Sequence, residues 1–410
     1  EYSQLYATQG GTISLGSLST AQGVYFPIDG TGTIDTSTIK NLTHSLVEAG
    51  VVVNLSQLTS AYSTDFVANA SIDLRKLTAA ESATFTINGV DLDLTTLTNV
   101  NGANFYVSGA VSIELPGVTS VTNTGGDQTW RVTGSGSVLS LPNLTTINNG
   151  TSYDWDVYLQ ALQGGKLDLG AVTEIIEPVT SDTRRQSVQV KAEGVNSEVK
   201  LSALQNFIDR SGYEIGNGDG EYSQLYATQG GTISLGSLLN IRGVYIPVEA
   251  SGSIYVGTLL VSTSSYVSGQ GEIFGSVRNS GGTVTVGSAP TGLTIHGDYT
   301  QTATGKLSVA VDGAVDTNSY SQLLVDGKVT LAGTLEITRA NSYAPDLFTD
   351  YAIISAETVS GTFSTVTGGT ITGGNLAPQY GSSVVALSRS FDRAPVATFP
   401  YQNTLPNQRT

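Results

Sequence analysis

The chain has 410 residues, 13% of them charged, and its 34 acidic against 18 basic side chains leave a net charge of -16. That balance repels nucleic-acid phosphates and anionic lipid, which speaks against a nucleic-acid partner. With no cysteine there is no disulfide framework or thiolate metal site, and with no run of 18 apolar residues no helix spans a membrane.

The first element, EYSQLYATQGGTISLGSL at Glu1 to Leu18, returns letter for letter at Glu221 to Leu238, and weaker likeness extends the duplication to 1–38 and 221–258. A block reused unchanged at a distance predicts stacked units. The chain contains no methionine, so Glu1 is not a translational start and processing upstream of it is expected.

Variants of the block recur through residue 277. Each reads apolar, polar, apolar, two polar, apolar, as in Ile72-Asp73-Leu74 closing on Leu77. The first apolar position falls at Ile13, Ile34, Val53, Ile72, Leu92, Ile113, Leu139, Leu167, Val199, Ile233, Ile254 and Ile273, at spacings of 19 to 34 residues. Period-two alternation predicts strands, the two polar residues a corner, and the third apolar residue a return to the core. Second strands with the same alternation lie between the blocks at Thr84–Ile87, Asn104–Val107, Thr129–Val132 and Asp156–Leu159. The expected fold is therefore all-β, a parallel β-helix of about twelve coils over 1–277. The competing solenoid, a leucine-rich-repeat horseshoe, lacks here its asparagine ladder and its regular convex helix.

The pattern changes after residue 277. GLTIHGDYTQ (Gly292 to Gln301), YSQLLVDG (Tyr320 to Gly327), LAGTLEI (Leu331 to Ile337), YAIISA (Tyr351 to Ala356) and VSGTF (Val359 to Phe363) follow in order. Together they resemble the C-terminal end of the β-helical passenger domains of bacterial autotransporters and related large surface proteins. The resemblance implies that 278–388 caps the β-helix and assists folding and export, and that the protein is bacterial, extracellular or on the cell surface. No set of ten-residue alternating strands for a membrane barrel follows Arg389. The segment 389–410 holds three of the 11 prolines and reads as an extended arm.

On the outward stripe of the blocks, Asp73, Asp93 and Glu114 are consecutive, about 5 Å apart if in register. They suit calcium, a carboxylate pair acting on a glycosidic bond, or merely a solvated face. His44 and His296 are too far apart to share a site, and no P-loop, dinucleotide fingerprint or nucleophile elbow is present. Asn217 to Glu221 is similar to a calcium loop but carries Thr228 at its twelfth position, which leaves a simple turn. The expected function is a structural or adhesive surface rod, binding itself and extracellular polysaccharide or other surface proteins. The alternative is a carbohydrate-active β-helix enzyme, whose groove walls would come from the insertions at 173–199 and 207–221, where Arg184-Arg185 lies. No resident cofactor is expected unless calcium is one. Phe391, Val396, Phe399, Tyr401 and Leu405 of the arm are the expected assembly contacts, docking on a neighbour near its Glu1 to Leu18 block.

Overall fold

A computed structural model describes residues 2–178, 185–210, 222–287, 292–317, 319–340, 343–345, 349–372 and 374–390. Among them the secondary structure is almost wholly strand, with one 3₁₀ turn at Val315–Thr317. Two sheets have 16 strands each and a third has five.

The segment 104–140 shows how the chain builds them. Asn104–Ser108 joins the first sheet, Ser112–Glu114 the second and Ser120–Thr122 the third. Gln128–Thr133 then returns to the first sheet and pairs in parallel with Asn104–Ser108, while Val138–Ser140 pairs in parallel with Ser112–Glu114. The registers are those the sequence alignment requires: Ile113, Leu139, Leu167, Val199, Ile233, Ile254 and Ile273 are successive partners. Earlier in the chain this ladder is interrupted, and only Ile13 with Ile34 and Val53 with Ile72 are strand partners.

The core follows from the alternation. Phe66, Phe85, Phe105 and Trp130 are in register in the first sheet and buried. The three phenylalanine rings stack with centroids 5.0 Å apart, Trp130 meets Phe105 edge-on at 6.3 Å, and its indole N–H donates to the Ala103 carbonyl. Corners close as expected: the amides of Leu58, Leu77, Leu97 and Leu144 donate to the carbonyls of Leu55, Leu74, Leu94 and Leu141. All these leucines, with Ile72 and Leu92, lie in one apolar cluster.

Both long sheets pass residue 278 without a break, Glu272–Ser280 pairing in parallel with Leu293–Ile295 and Tyr299–Gln301. The second sheet ends differently. Asp350–Ser355 pairs antiparallel with Val384–Ser390, which pairs antiparallel with Gly374–Tyr380. No helix of the described residues is long and apolar enough to cross a membrane.

Candidate ligand-binding faces

The acidic stripe has a local job. Asp35, Asn54, Asp73, Asp93 and Asp168 each accept, through Oδ1, the backbone N–H two residues on, at 2.9 to 3.4 Å. A short side chain that bonds its own backbone holds the corner that follows. Glu114 and Ser140 break the series where the residue two on is Pro116 or Pro142, which has no N–H to give. Hydrogen bonds, from the Ser37 hydroxyl to Asp35 and from the Arg75 guanidinium to Asp73, hold those two carboxyls below their ordinary range.

No strand pairing joins Asp73, Asp93 and Glu114 to one another. Asp73 lies on a strand paired with Val53–Asn54, Glu114 on one paired with Val138–Ser140, and Asp93 on no strand. Asp73 is further tied to Arg75 at 2.8 Å. Among the described residues no three or more His, Cys, Asp or Glu gather as a metal site would require. The arm residues Phe391, Val396, Phe399, Tyr401 and Leu405 lie outside the described residues, as do Arg184 and Asn217 to Glu221. His44 sits in a bend at φ 46°, and His296 bonds Asp326 through Nδ1 at 2.7 Å.

Sequence reasoning missed a buried polar spine. Asn123, Asn149, Glu177 and Asp209 follow the third sheet in register, each backbone N–H donating to the next strand. All four are buried. Asn123 donates to Asn149, and Asn149 to Glu177 and to the carbonyls of Trp155 and Ser187. Burial, reinforced by the neighbouring Asp209 carboxyl, pushes the Glu177 carboxyl well above its ordinary range. Ser223 closes the spine, its hydroxyl donating to Glu177 at 3.1 Å and its amide to Asp209 at 3.0 Å. Two asparagines and two acidic residues thus form one buried polar ladder. Its members stand four residues beyond Thr119, Thr145, Thr173 and Gln205, a spacing that could have revealed it.

Over its central strands the outer face of the first sheet is aromatic and amide-rich and carries two cations, of which Lys191 pairs with Glu193. Tyr106, Arg131, Gln160, Lys191 and Tyr226 are successive register partners. Arg131 lies 5.7 Å from the Tyr106 ring centroid and donates to Gln160 at 2.7 Å, and Lys191 lies 5.7 Å from the Tyr226 centroid. Tyr158, Gln189, Gln224, Tyr245 and Tyr266 form the adjacent ladder. Between the two ladders runs a groove of about 330 Å³ lined by Tyr158, Gln160, Gln189, Lys191, Gln224 and Tyr226. Aromatic faces beside amides and hydroxyls take up a ligand that is apolar on its ring faces and polar at its rim. These residues are the polar partners in the second strands, so the alternation that located the core also locates them.

The outward stripe of the second sheet changes character along its length. Asp168, Lys200 and Ser234 are followed in register by Tyr255 and Phe274, with His296 and Asp326 next on adjoining strands. Tyr255 stacks on Phe274 at 4.5 Å, and Phe274 on His296 at 4.3 Å.

In comparison with known proteins, no family model and no curated protein matches this sequence.

Proposed function

We propose that this chain is a parallel β-helix serving as a structural or adhesive rod on a bacterial cell surface, and that it assembles end to end. The parallel registers support the helix, because each stretch of 19 to 34 residues through the central chain adds one strand to each sheet and then returns to its starting sheet. The observation that carries the adhesive role is the outer face of the first sheet, where tyrosine, glutamine, arginine and lysine stand in register over consecutive strands. Such a face recognises an elongated polar partner, a polysaccharide above all, by repeating the same contacts at each step. The antiparallel strands that end the second sheet suit the capping role implied by the autotransporter resemblance.

For assembly we propose that the arm at 390–410 docks on a neighbouring copy. The half-buried Leu5, Ile13 and Leu15 beside the exposed Leu18 offer an apolar edge that a further layer would cover. Electron microscopy tests both parts. Sixteen strands in one sheet at strand spacing give a rod about 70 Å long, and end-to-end growth gives multiples of that length. Round particles would overturn the rod. Removing 390–410 is expected to leave single rods, and filaments of parental length from that variant would overturn the arm's role.

A further inference from the structure

The ring stack on the second sheet has an empty position. Phe274 has both faces taken, by Tyr255 and by His296, whereas Tyr255 is covered on one side only and is 44% exposed. On its open side the register partner of Tyr255 is Ser234, and the partner of the neighbouring Ser253 is Thr232. Short side chains at these positions leave the space beside the ring unfilled. The wall beyond them is polar, with Glu198 opposite Thr232 and Lys200 opposite Ser234. Together Lys166, Asn196, Glu198, Thr232, Ser234 and Tyr255 line a groove of about 350 Å³, at the small end of the range for small-molecule sites.

From this geometry we propose that the groove binds one neutral hexopyranose unit of a polysaccharide, stacked on the open face of Tyr255. The inference rests on the carbohydrate-facing role above and adds to it a second place, on the second sheet, with a named ligand. The electron-rich ring face attracts the C–H groups on the flat side of a pyranose, and the spacing of about 4.5 Å already present between Tyr255 and Phe274 would continue through the sugar. Hydroxyls at the sugar rim meet donors and acceptors that are already oriented. Ser234 Oγ donates to Glu198 at 2.9 Å, and Lys166 stands 3.7 Å from the same carboxylate. The nearby charges are paired, Lys166 with Glu198 and Lys200 with Asp168 at 3.0 Å, so neither a cationic nor an anionic sugar finds a free counter-charge there.

The duplication supplies an internal control. Thr12 and Ser14 repeat Thr232 and Ser234, but the register partner of Ser14 is Asp35, where the second copy has Tyr255. The first copy therefore has the same short side chains without the ring, and no sugar is expected to stack there.

The test uses the full chain with four neutral probes, cellotetraose, laminaritetraose, maltotetraose and β-1,4-galactotetraose, read by saturation-transfer NMR and calorimetry. At least one probe is expected to bind. Tyr255→Asp, which reproduces the first copy, is expected to weaken it about tenfold or more, while Tyr255→Phe keeps it. Ser234→Phe fills the position with a protein ring and is expected to abolish binding while leaving the fold intact. Failure of all four probes, unchanged binding by Tyr255→Asp, or unchanged binding by Ser234→Phe would each overturn the proposal. So would a lighter sedimenting species in Tyr255→Asp than in the parent, since a second copy would then occupy the groove. Electron micrographs of the same samples keep the two proposals separate: round particles that bind sugar through Tyr255 contradict the rod alone, and rods that bind none contradict the groove alone.

Discussion

The same seventeen letters, residues 2–18 and 222–238, occupy two settings in one molecule. In the second copy Ser223–Thr228 and Thr232–Leu235 are full strands with a parallel neighbour on each side. In the first copy the matching strands shrink to Ser3–Gln4 and Thr12–Ser14, each paired on one side only. Leu238 is fully buried where Leu18 is 38% exposed, and Leu225 and Ile233 are fully buried where Leu5 and Ile13 are not. The alternation of the block decides which side chains can face inward. Only a layer stacked on each side turns them into core, as expected of units that cannot bury their apolar side alone.

The largest effect should come from the apolar ladder itself. Ile233→Asp places an unpaired charge between two layers and is expected to cost several kcal/mol, whereas Ile13→Asp leaves its charge in reach of water and costs about 1 kcal/mol or less. Urea midpoints of the two variants measure the difference, and equal losses would break the comparison. Next comes the glycine at the turn between the sheets. A Cβ on Gly231 would stand 2.2 Å from the Ala192 carbonyl oxygen of the layer beneath, while one on Gly11 would meet only Thr8 O of its own turn, at 3.0 Å. Gly231→Ala is therefore expected to cost about 1–3 kcal/mol and Gly11→Ala clearly less, by the same measurement.

A third difference depends on pH. Ser223 bonds the buried carboxyls of Glu177 and Asp209, whereas its twin Ser3 is exposed. Because the folded state raises the Glu177 pKa, the fold holds that proton more tightly than the unfolded chain does. Stability is then greatest below the unfolded value of about 4.3 and falls as pH rises toward the folded one. Glu177→Gln removes the titration, so its melting temperature should exceed the parent's at pH 8, by on the order of 1 kcal/mol of stability, and lose that advantage by pH 4. An advantage independent of pH would contradict a titrating Glu177. The smallest effect concerns the corners. Asp73→Ala removes a depressed carboxyl that is partly exposed, so a loss of roughly 0.5 kcal/mol or less is expected at pH 7. That loss should vanish as pH falls through the depressed value, and Glu114→Ala, which caps no corner, should lose nothing at either pH.

Much of the architecture was legible because it is periodic. The first apolar position of seven successive blocks, Ile113 to Ile273, gave the register of the second sheet directly, and Phe85, Phe105 and Trp130 marked the inside of the first. The sites were less legible, since function here depends on neighbours from other layers. Asp93 looked like a ligand because its stripe partners are acidic, yet its carboxylate is engaged by Thr95 two residues away. Tyr255 and Phe274 fall on the same stripe as Ser234 but carry no local signal, because a ring stack between residues 19 positions apart shows only once the register is known. The spine escaped for a related reason: nothing in the local sequence marks Glu177 and Asp209 as buried until the stacking of the third sheet aligns them with Asn123 and Asn149.

Hydrogen exchange followed by mass spectrometry tests the dependence on stacking most directly, because a peptic fragment from within residues 2–18 has the same mass as its twin from 222–238. Measured on single chains, that one fragment is expected to split into two isotopic envelopes of equal intensity, one slow from the copy sandwiched between layers and one fast from the copy paired on one side, in the same ratio at every time. A single envelope would mean that both copies are equally covered, contradicting the claim that layers on either side, and not the block's own sequence, make it core.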